Sequence, residues 1–415
     1  MEDNYNVSPW SKTNNTDPLH SLCSYLGAFP PGLANYFIRY FTDEDDIVFD
    51  PFCGRGTTLL EARLLNRRSI GSDLNPIALK LSDAKSIRVK YNEILNRIEE
   101  LESEFYLPLF LPESVAQSDE IRLIFHDRTL AELCYLRCEL LESNSKVDRF
   151  ILGALLGIMH GGERKDGSSG YLSISMPNTF SMSPDYVRRF VQTKNLNRCY
   201  RNVFKTLNEK VERIFQKHSS PEVESKVIEC DAKQLTESKH FHPYKNKAKL
   251  VLTSPPYLGV VNYAKQNWIR SWLLDADPDV TSNKLDDDLT LTDWLKFSDR
   301  VIKQLSEFLA DDGVAVLVIG DVAKSKNSVI PLARDFCRLV ESKEYFKNVW
   351  VYSDYIKDKT TRIWGNTQGN ATKTDRIVIL SNTNPFKANK RVKKSERITQ
   401  KEIFDNTKAF LAKVK

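Results

Sequence analysis

The sequence predicts an α/β protein: a doubly wound, mainly parallel sheet of seven strands with a mainly helical insertion. Three observations predict it. Short runs of β-branched and aromatic residues recur near both ends of the 415-residue chain. The first run passes through a glycine-containing turn directly into a helical pattern. The stretch between Asp73 and Val227 carries no strand alternation and is too long for a single crossover.

In chain order, Ile47-Val48-Phe49 is the first strand, Asp50 to Thr58 the turn after it, and a helix starts at Leu59. Ser69 to Ser72, ending in Asp73, closes one βαβ unit, and a helix through Leu79 and Leu81 follows Asn75-Pro76. Residues 83–225 are read as an inserted helical domain, a candidate target-recognition region. Within it, the glycine- and serine-rich Gly161 to Gly170 and the segment Tyr171 to Thr179 are turn chemistry. The sheet resumes with Lys226 to Asp231, Leu250 to Leu252 and Val314 to Ile319, the last buried on both faces. Val349 to Tyr352 and Arg376 to Leu380 complete seven strands, so residues 1–82 and 226–384 form one discontinuous domain. Residues 385–415 are expected to be a partly mobile basic tail, with Lys387, Lys390, Arg391, Lys393 and Lys394 either touching phosphates or simply solvated.

Composition narrows the function classes. With 41% hydrophobic and 28% charged residues, the chain is neither disordered nor collagenous. Its longest apolar runs have strand length, and Met1-Glu2-Asp3-Asn4 has neither a basic start nor an apolar stretch, so a cytoplasmic protein without a membrane span is expected. The seven cysteines include no CxxC pair, and Cys134 and Cys138 are expected on a buried helix face, so neither a zinc site nor a disulfide framework is expected. A net charge of +5 permits a nucleic-acid partner without demanding one. His126 and His160 stand apart from other ligands, and Trp268 and Trp272, at i, i+4, are expected to pack a helix on the sheet.

Two segments carry chemistry. Gly54 and Gly56 lie between a strand and a helix N-terminus, where the backbone can approach a ligand closely. No Lys-Ser or Lys-Thr follows them, and Leu59 stands where a dinucleotide fingerprint has its third glycine, so a carboxylate-bearing ligand fits better than a nucleoside triphosphate or a dinucleotide. Asp73, ending the second strand, is placed to accept hydrogen bonds from ribose hydroxyls. The second segment, Thr253-Ser254-Pro255-Pro256-Tyr257, follows the strand Leu250 to Leu252. Its two prolines fix their own φ and extend the residues before them, which aims the carbonyls. A nucleobase amine is flat, with its lone pair drawn into the ring. If the Ser254 hydroxyl and the Pro255 carbonyl each accept one N–H, the nitrogen moves toward tetrahedral geometry and its lone pair is aimed.

Together, Asp50 to Thr58 and Thr253 to Tyr257 resemble the amino-methyltransferase group of S-adenosylmethionine-dependent DNA methyltransferases, and Ser-Pro-Pro-Tyr resembles the variant typical of cytosine-N4 enzymes. The resemblance covers the sheet domain and implies a Rossmann-like, seven-stranded class I methyltransferase fold with S-adenosyl-L-methionine as cofactor. It implies that Asp50, Phe52, Gly54, Gly56, Thr57 and Thr58 form the cofactor turn, with Phe52, Gly54 and Gly56 at the methionine end. Asp73 would hold the ribose and Asp231 would face the adenine amine. Ser254, Pro255, Pro256 and Tyr257 would be catalytic, with Tyr257 stacking on a base turned out of double-stranded DNA. The region Tyr25 to Pro31, read as helical, lies where such enzymes carry a further cofactor contact. A cognate restriction or defence nuclease is an implied partner. Adenine-N6 methylation, RNA guanine-N2 methylation and a non-catalytic DNA-binding subunit are the alternatives. Cytosine-C5 chemistry is disfavoured, since the chain has no Pro-Cys pair to supply the nucleophile.

Overall fold

A computed structural model describes residues 8–12, 16–176, 182–219, 221–259, 261–325, 328–355, 370–386 and 397–412. Eight strands form a single sheet: β1 Ile47–Asp50, β2 Arg68–Asp73, β3 Ser225–Glu229, β4 Ala248–Thr253, β5 Leu309–Ser325, β6 Ser328–Ile330, β7 Asn348–Tyr355 and β8 Asn370–Ser381. Seven of them follow the order β3-β2-β1-β4-β5-β8-β7, and the short β6 pairs only with β5. The β3-β2-β1-β4-β5 part is parallel, whereas β8 is antiparallel to both β5 and β7. This is the doubly wound, mainly parallel sheet expected, with one strand more. The extra strand has no alternating sequence signal, being a three-residue return of the chain against the far end of β5.

Strand order reverses between β1 and β4, so the carboxyl ends of these neighbours open a crevice, which is where open α/β sheets bind ligands. Side chains alternate across the sheet with period two. Phe49, Val251, Ala315 and Leu317 face helices α13 (Leu291–Phe308) and α14 (Leu332–Lys343) through Trp294, Val301 and Phe336. Val48, Leu250, Leu252, Val314 and Val316 face the opposite layer, where α1 (Pro31–Phe41) brings Phe37 and Phe41, and α15 (Gln400–Ala412) brings Ile403. Two core layers therefore hold the strands rigidly from both sides.

Helices α2 (Thr57–Leu64) and α3 (Pro76–Ser86) follow β1 and β2. Between α3 and β3 come seven further helices: α4 Tyr91–Glu104, α5 Leu107–Ala116, α6 Asp119–Ile124, α7 Asp127–Leu140, α8 Lys146–Ile158, α9 Pro184–Lys194 and α10 Val203–Phe215. They share one core with α2 and α3, which includes Leu60, Leu81, Ile98, Leu133, Phe150 and Phe204. Helices α11 (Trp268–Leu273) and α12 (Pro278–Lys284) lie between β4 and α13.

Several expectations change. Tyr25 to Pro30 is turn and extended chain, because Gly27 takes φ +74° and helix α1 can begin only with Pro31 in its first turn. Trp268 and Trp272 pack on the helical insertion and not on the sheet: their indole N–H groups donate to the Met182 carbonyl (2.7 Å) and to Gln117 Oε1 (2.8 Å). Cys134 is buried but Cys138, one turn on, is exposed. His126 accepts from the Arg128 peptide N–H and caps α7, while His160 is buried. The end of the chain is no simple tail, since α15 seats Ile403 in the core and Thr407 accepts from the Val351 peptide N–H at 2.7 Å. The lysine-rich run Lys387 to Lys394 and the segment Pro177 to Ser181 lie outside the described residues. No helix among the described residues is long and apolar enough to cross a membrane, and no group of potential metal ligands occurs among them.

Candidate active site

The glycine turn is built from backbone constraints. Gly56 caps α2 with φ 75° and ψ 35°, and a Cβ there would lie 2.9 Å from Ser82 Cα, so both the left-handed backbone and the close approach of α3 require glycine. Two bonds tie the turn to the end of β2. The Cys53 N–H donates to the Ser72 carbonyl (2.9 Å), and the Gly54 N–H donates to Asp73 Oδ2 (2.9 Å). The other oxygen of Asp73 accepts from the Asn75 N–H at 2.9 Å. Each carboxylate oxygen so keeps a further lone pair for a ligand hydroxyl.

These residues open on a cleft whose empty space, open solvent at its mouth included, is about 860 Å³. Asp50, Phe52, Gly54, Thr57, Asp73, Asp231, Ser254 and Pro256 line it. Of the other sequence-predicted residues, Gly56 shapes the turn from behind and Thr58 donates to the Leu252 carbonyl (3.3 Å), joining α2 to β4. Pro255 and Tyr257 do not line the cleft. The Tyr257 ring lies on Gly320, whose missing side chain makes the room: a Cβ there would come within 2.8 Å of the ring.

The diproline loop is held by groups around it. Thr253 Oγ1 donates to Asp50 Oδ1 (2.6 Å), joining β4 to β1. Ser254 Oγ donates to the Val318 carbonyl on β5 (3.0 Å), the Tyr257 hydroxyl reaches the same carbonyl (3.2 Å), and the two hydroxyls lie 3.2 Å apart. Trp294 Nε1 donates to the Pro256 carbonyl at 2.8 Å.

Three lining residues, Tyr263, Asp286 and Asp287, fall outside every segment singled out in the sequence, whereas Tyr25 belongs to the Tyr25 to Pro31 region expected to contact the cofactor. Tyr25 and Tyr263 stack with ring centroids 5.9 Å apart, and the Tyr25 hydroxyl accepts from Asn75 Nδ2 (3.1 Å). Asp286 and Asp287 come from the loop before α13. Asp287 Oδ2 accepts from the Tyr263 N–H (2.9 Å), while Lys233 Nζ reaches Asp286 (2.6 Å) and Asp231 (3.4 Å). The acidic run Leu285 to Asp288 was the one available signal, and it reads like a solvated turn until the fold folds it inward.

Charge dominates the electrostatics. Five carboxylates line the cleft (Asp50, Asp73, Asp231, Asp286, Asp287), against one cation, Arg55, among the described lining residues. Burial pushes the Asp50 carboxyl up to about 6, although Thr253, Thr58 and the Phe52 N–H pull the other way. Burial likewise raises Asp287 to about 6, helped by neighbouring Asp288 and Asp286, and it raises Asp73. Such a cleft is short of positive charge. A cationic ligand carrying hydroxyls and an amine, with an aromatic ring to lie along Phe52, Leu26 and Phe29, matches this donor set, and S-adenosylmethionine is such a ligand.

The chain is similar to several known methyltransferases. The chain is 35% identical over 75 residues to the Type II methyltransferase M.MjaII of Methanocaldococcus jannaschii, covering 18% of this chain and 14% of that one. It is 42% identical over 69 residues to the orphan methyltransferase M.BamHII of Bacillus amyloliquefaciens, covering 17% and 25%. The matches therefore span less than a third of these relatives. Among solved structures, the rRNA methyltransferase aviRa of Streptomyces viridochromogenes aligns over 90% of this chain and 95% of its own, at 12% identity and a TM-score of 0.33. A model of the DNA methylase family, N6_N4_Mtase, matches residues 2–84 and 248–409, the stretches that supply the glycine turn, the diproline loop and most of the sheet, and the chain belongs to that family.

Proposed function

We propose that the protein is a site-specific DNA methyltransferase that methylates the exocyclic N4 amine of cytosine, using S-adenosylmethionine, in restriction-modification or defence. When bound, the cofactor supplies an electrophilic methyl group on sulfur. The chain's residues do the rest. Asp73 takes the ribose hydroxyls, Asp231 faces the adenine amine, and Phe52 and Gly54 border the methionine end.

One observation carries the reading: the Ser254 hydroxyl gives its own proton to the Val318 carbonyl, so what it offers a ligand in the cleft is lone pairs. An acceptor, not a nucleophile, is what an amine needs. The second acceptor in this reading is the Pro255 carbonyl, which stands between the cleft-lining Ser254 and Pro256 without itself lining the cofactor cleft, and on which no hydrogen bond within the described residues ends. With one N–H on each, the amine lone pair would be freed from the ring and aimed at the methyl group that S-adenosylmethionine would supply, the sulfur leaving as a neutral thioether. The methylated nitrogen then sheds its proton to water. One well-placed polar group is worth about 3 kcal/mol in the transition state, so two acceptors supply a substantial part of the acceleration. Tyr257, its hydroxyl beside Ser254, borders the base and supports it once it leaves the duplex.

The experiment is incubation with tritiated S-adenosylmethionine and duplex DNA, digestion to nucleosides, and identification of the label by mass. N4-methyldeoxycytidine is expected. Label on N6 of deoxyadenosine would reassign the base, and label confined to RNA would reject DNA as substrate.

A further inference from the structure

We propose that Trp294 is a positioning residue for methyl transfer, acting through the carbonyl of Pro256. This rests on the function proposed above. Two consecutive prolines leave the loop without two of its backbone N–H donors, so it must be held by its carbonyls and its side chains. Ser254 and Tyr257 are fixed to Val318, and Thr253 to Asp50, all of which secure side chains. The Pro256 carbonyl is the loop's backbone anchor, and Trp294 Nε1 holds it at 2.8 Å. That indole is fully buried. A fixed Pro256 peptide in turn fixes the direction of the preceding Pro255 carbonyl, one of the two proposed acceptors.

Trp294 also stands at a junction. It lies in the first turns of α13, which Thr290 caps by accepting from the Asp293 N–H. The loop immediately before that cap carries Asp286 and Asp287 into the cofactor cleft, and Phe297 packs on Phe52 with centroids 5.8 Å apart. One short segment so touches both the cofactor's surroundings and the methyl-acceptor loop. Seating of the cofactor and aim of the acceptors share one rigid support.

The test separates the N–H from the bulk. Trp294→Phe removes the donor, and Phe336→Leu loosens the packing of the same indole (centroids 6.2 Å apart) while keeping it. Expected for Trp294→Phe is a kcat at least about tenfold lower with the KM for S-adenosylmethionine within about twofold, the signature of misaimed reacting groups. Phe336→Leu should lower the thermal midpoint yet keep kcat within about threefold. Benzothienylalanine at position 294 keeps the ring shape without the N–H, so it gives the same reading even if Trp294→Phe does not fold. Unchanged kcat in the donor-less proteins, or an equal loss in Phe336→Leu, would overturn the assignment while leaving the methyltransferase reading intact. Absence of any methyl transfer by the unaltered protein would remove the function itself, and this inference with it.

Discussion

Cofactor affinity should depend steeply on pH, because the cleft keeps two carboxyls protonated until about pH 6. Asp50 and Asp287 are each raised to about 6 by burial, without a cation to offset the cost of ionisation. A sulfonium prefers both as carboxylates, so binding pulls their protons off, and the affinity must rise as pH climbs through that value and level off above about pH 7. At pH 5 each group is about 90% protonated, which costs about tenfold, or about 1.4 kcal/mol, per group, and about a hundredfold for the pair. Equilibrium dialysis of labelled S-adenosylmethionine from pH 5 to pH 8 at constant ionic strength reads this directly. S-adenosylhomocysteine, with the same adenine, ribose and amino acid but a neutral sulfur, should show a much shallower slope. Asp287→Asn should reduce the dependence to about tenfold, since one titrating group is left. An affinity flat within about threefold over that range, or identical slopes for the two ligands, would refute the idea that these carboxyls face the cation.

Other expectations follow from the same geometry. For stability the sign is opposite: a carboxyl whose folded pKa is raised favours the fold below its unfolded pKa and loses that contribution as pH passes about 6. Asp287→Asn should therefore stabilise the ligand-free protein at pH 8 by about 1–3 kcal/mol and do nothing near pH 4, as read from urea unfolding. Ser254→Ala should lower kcat about a hundredfold or more with cofactor affinity unchanged, whereas Asp73→Ala should weaken cofactor binding itself; dialysis and single-turnover rates separate the two. Gly56→Ala meets both a left-handed backbone and Ser82 Cα at 2.9 Å, and should cost about 2–4 kcal/mol of stability in thermal unfolding. Gly320→Ala should push the Tyr257 ring off β5 and impair transfer more than cofactor binding.

What the sequence made legible follows from how local each signal is. The strand Ile47–Asp50 and its turn are readable because apolar residues, an acid and glycines stand within a dozen positions, and Asp73 is readable because it ends the next strand. The diproline loop is readable because proline restricts its own geometry whatever surrounds it. The rest of the site depends on distance in the chain. Asp287 was invisible because three adjacent aspartates normally mark a solvated turn, and only the fold carries them against Tyr263. Tyr257 is expected from the sequence to stack on a flipped base, yet its ring lies on Gly320 and not on the cleft wall, a placement that depends on β5 and not on the residues beside it in the chain. Trp268 and Trp272 were assigned to the sheet because i, i+4 spacing says that two side chains share a face and nothing about what that face meets.

This division has a chemical counterpart. In the proposed function the local motifs supply the groups that would touch the ligand, such as Asp73 and Ser254, while the long-range contacts supply their aim. Ser254 would serve as an acceptor only because its proton goes to Val318 on β5, a strand joined to β4 by packing and pairing and not by any motif. The Pro256 carbonyl is fixed only because α13 brings an indole to it across the same face of the sheet. A protein carrying both motifs but lacking these two supports would still bind the cofactor and would transfer slowly. The kcat of the Trp294 variants, set against their cofactor affinity, therefore measures how much of the chemistry resides in the fold and not in the motif.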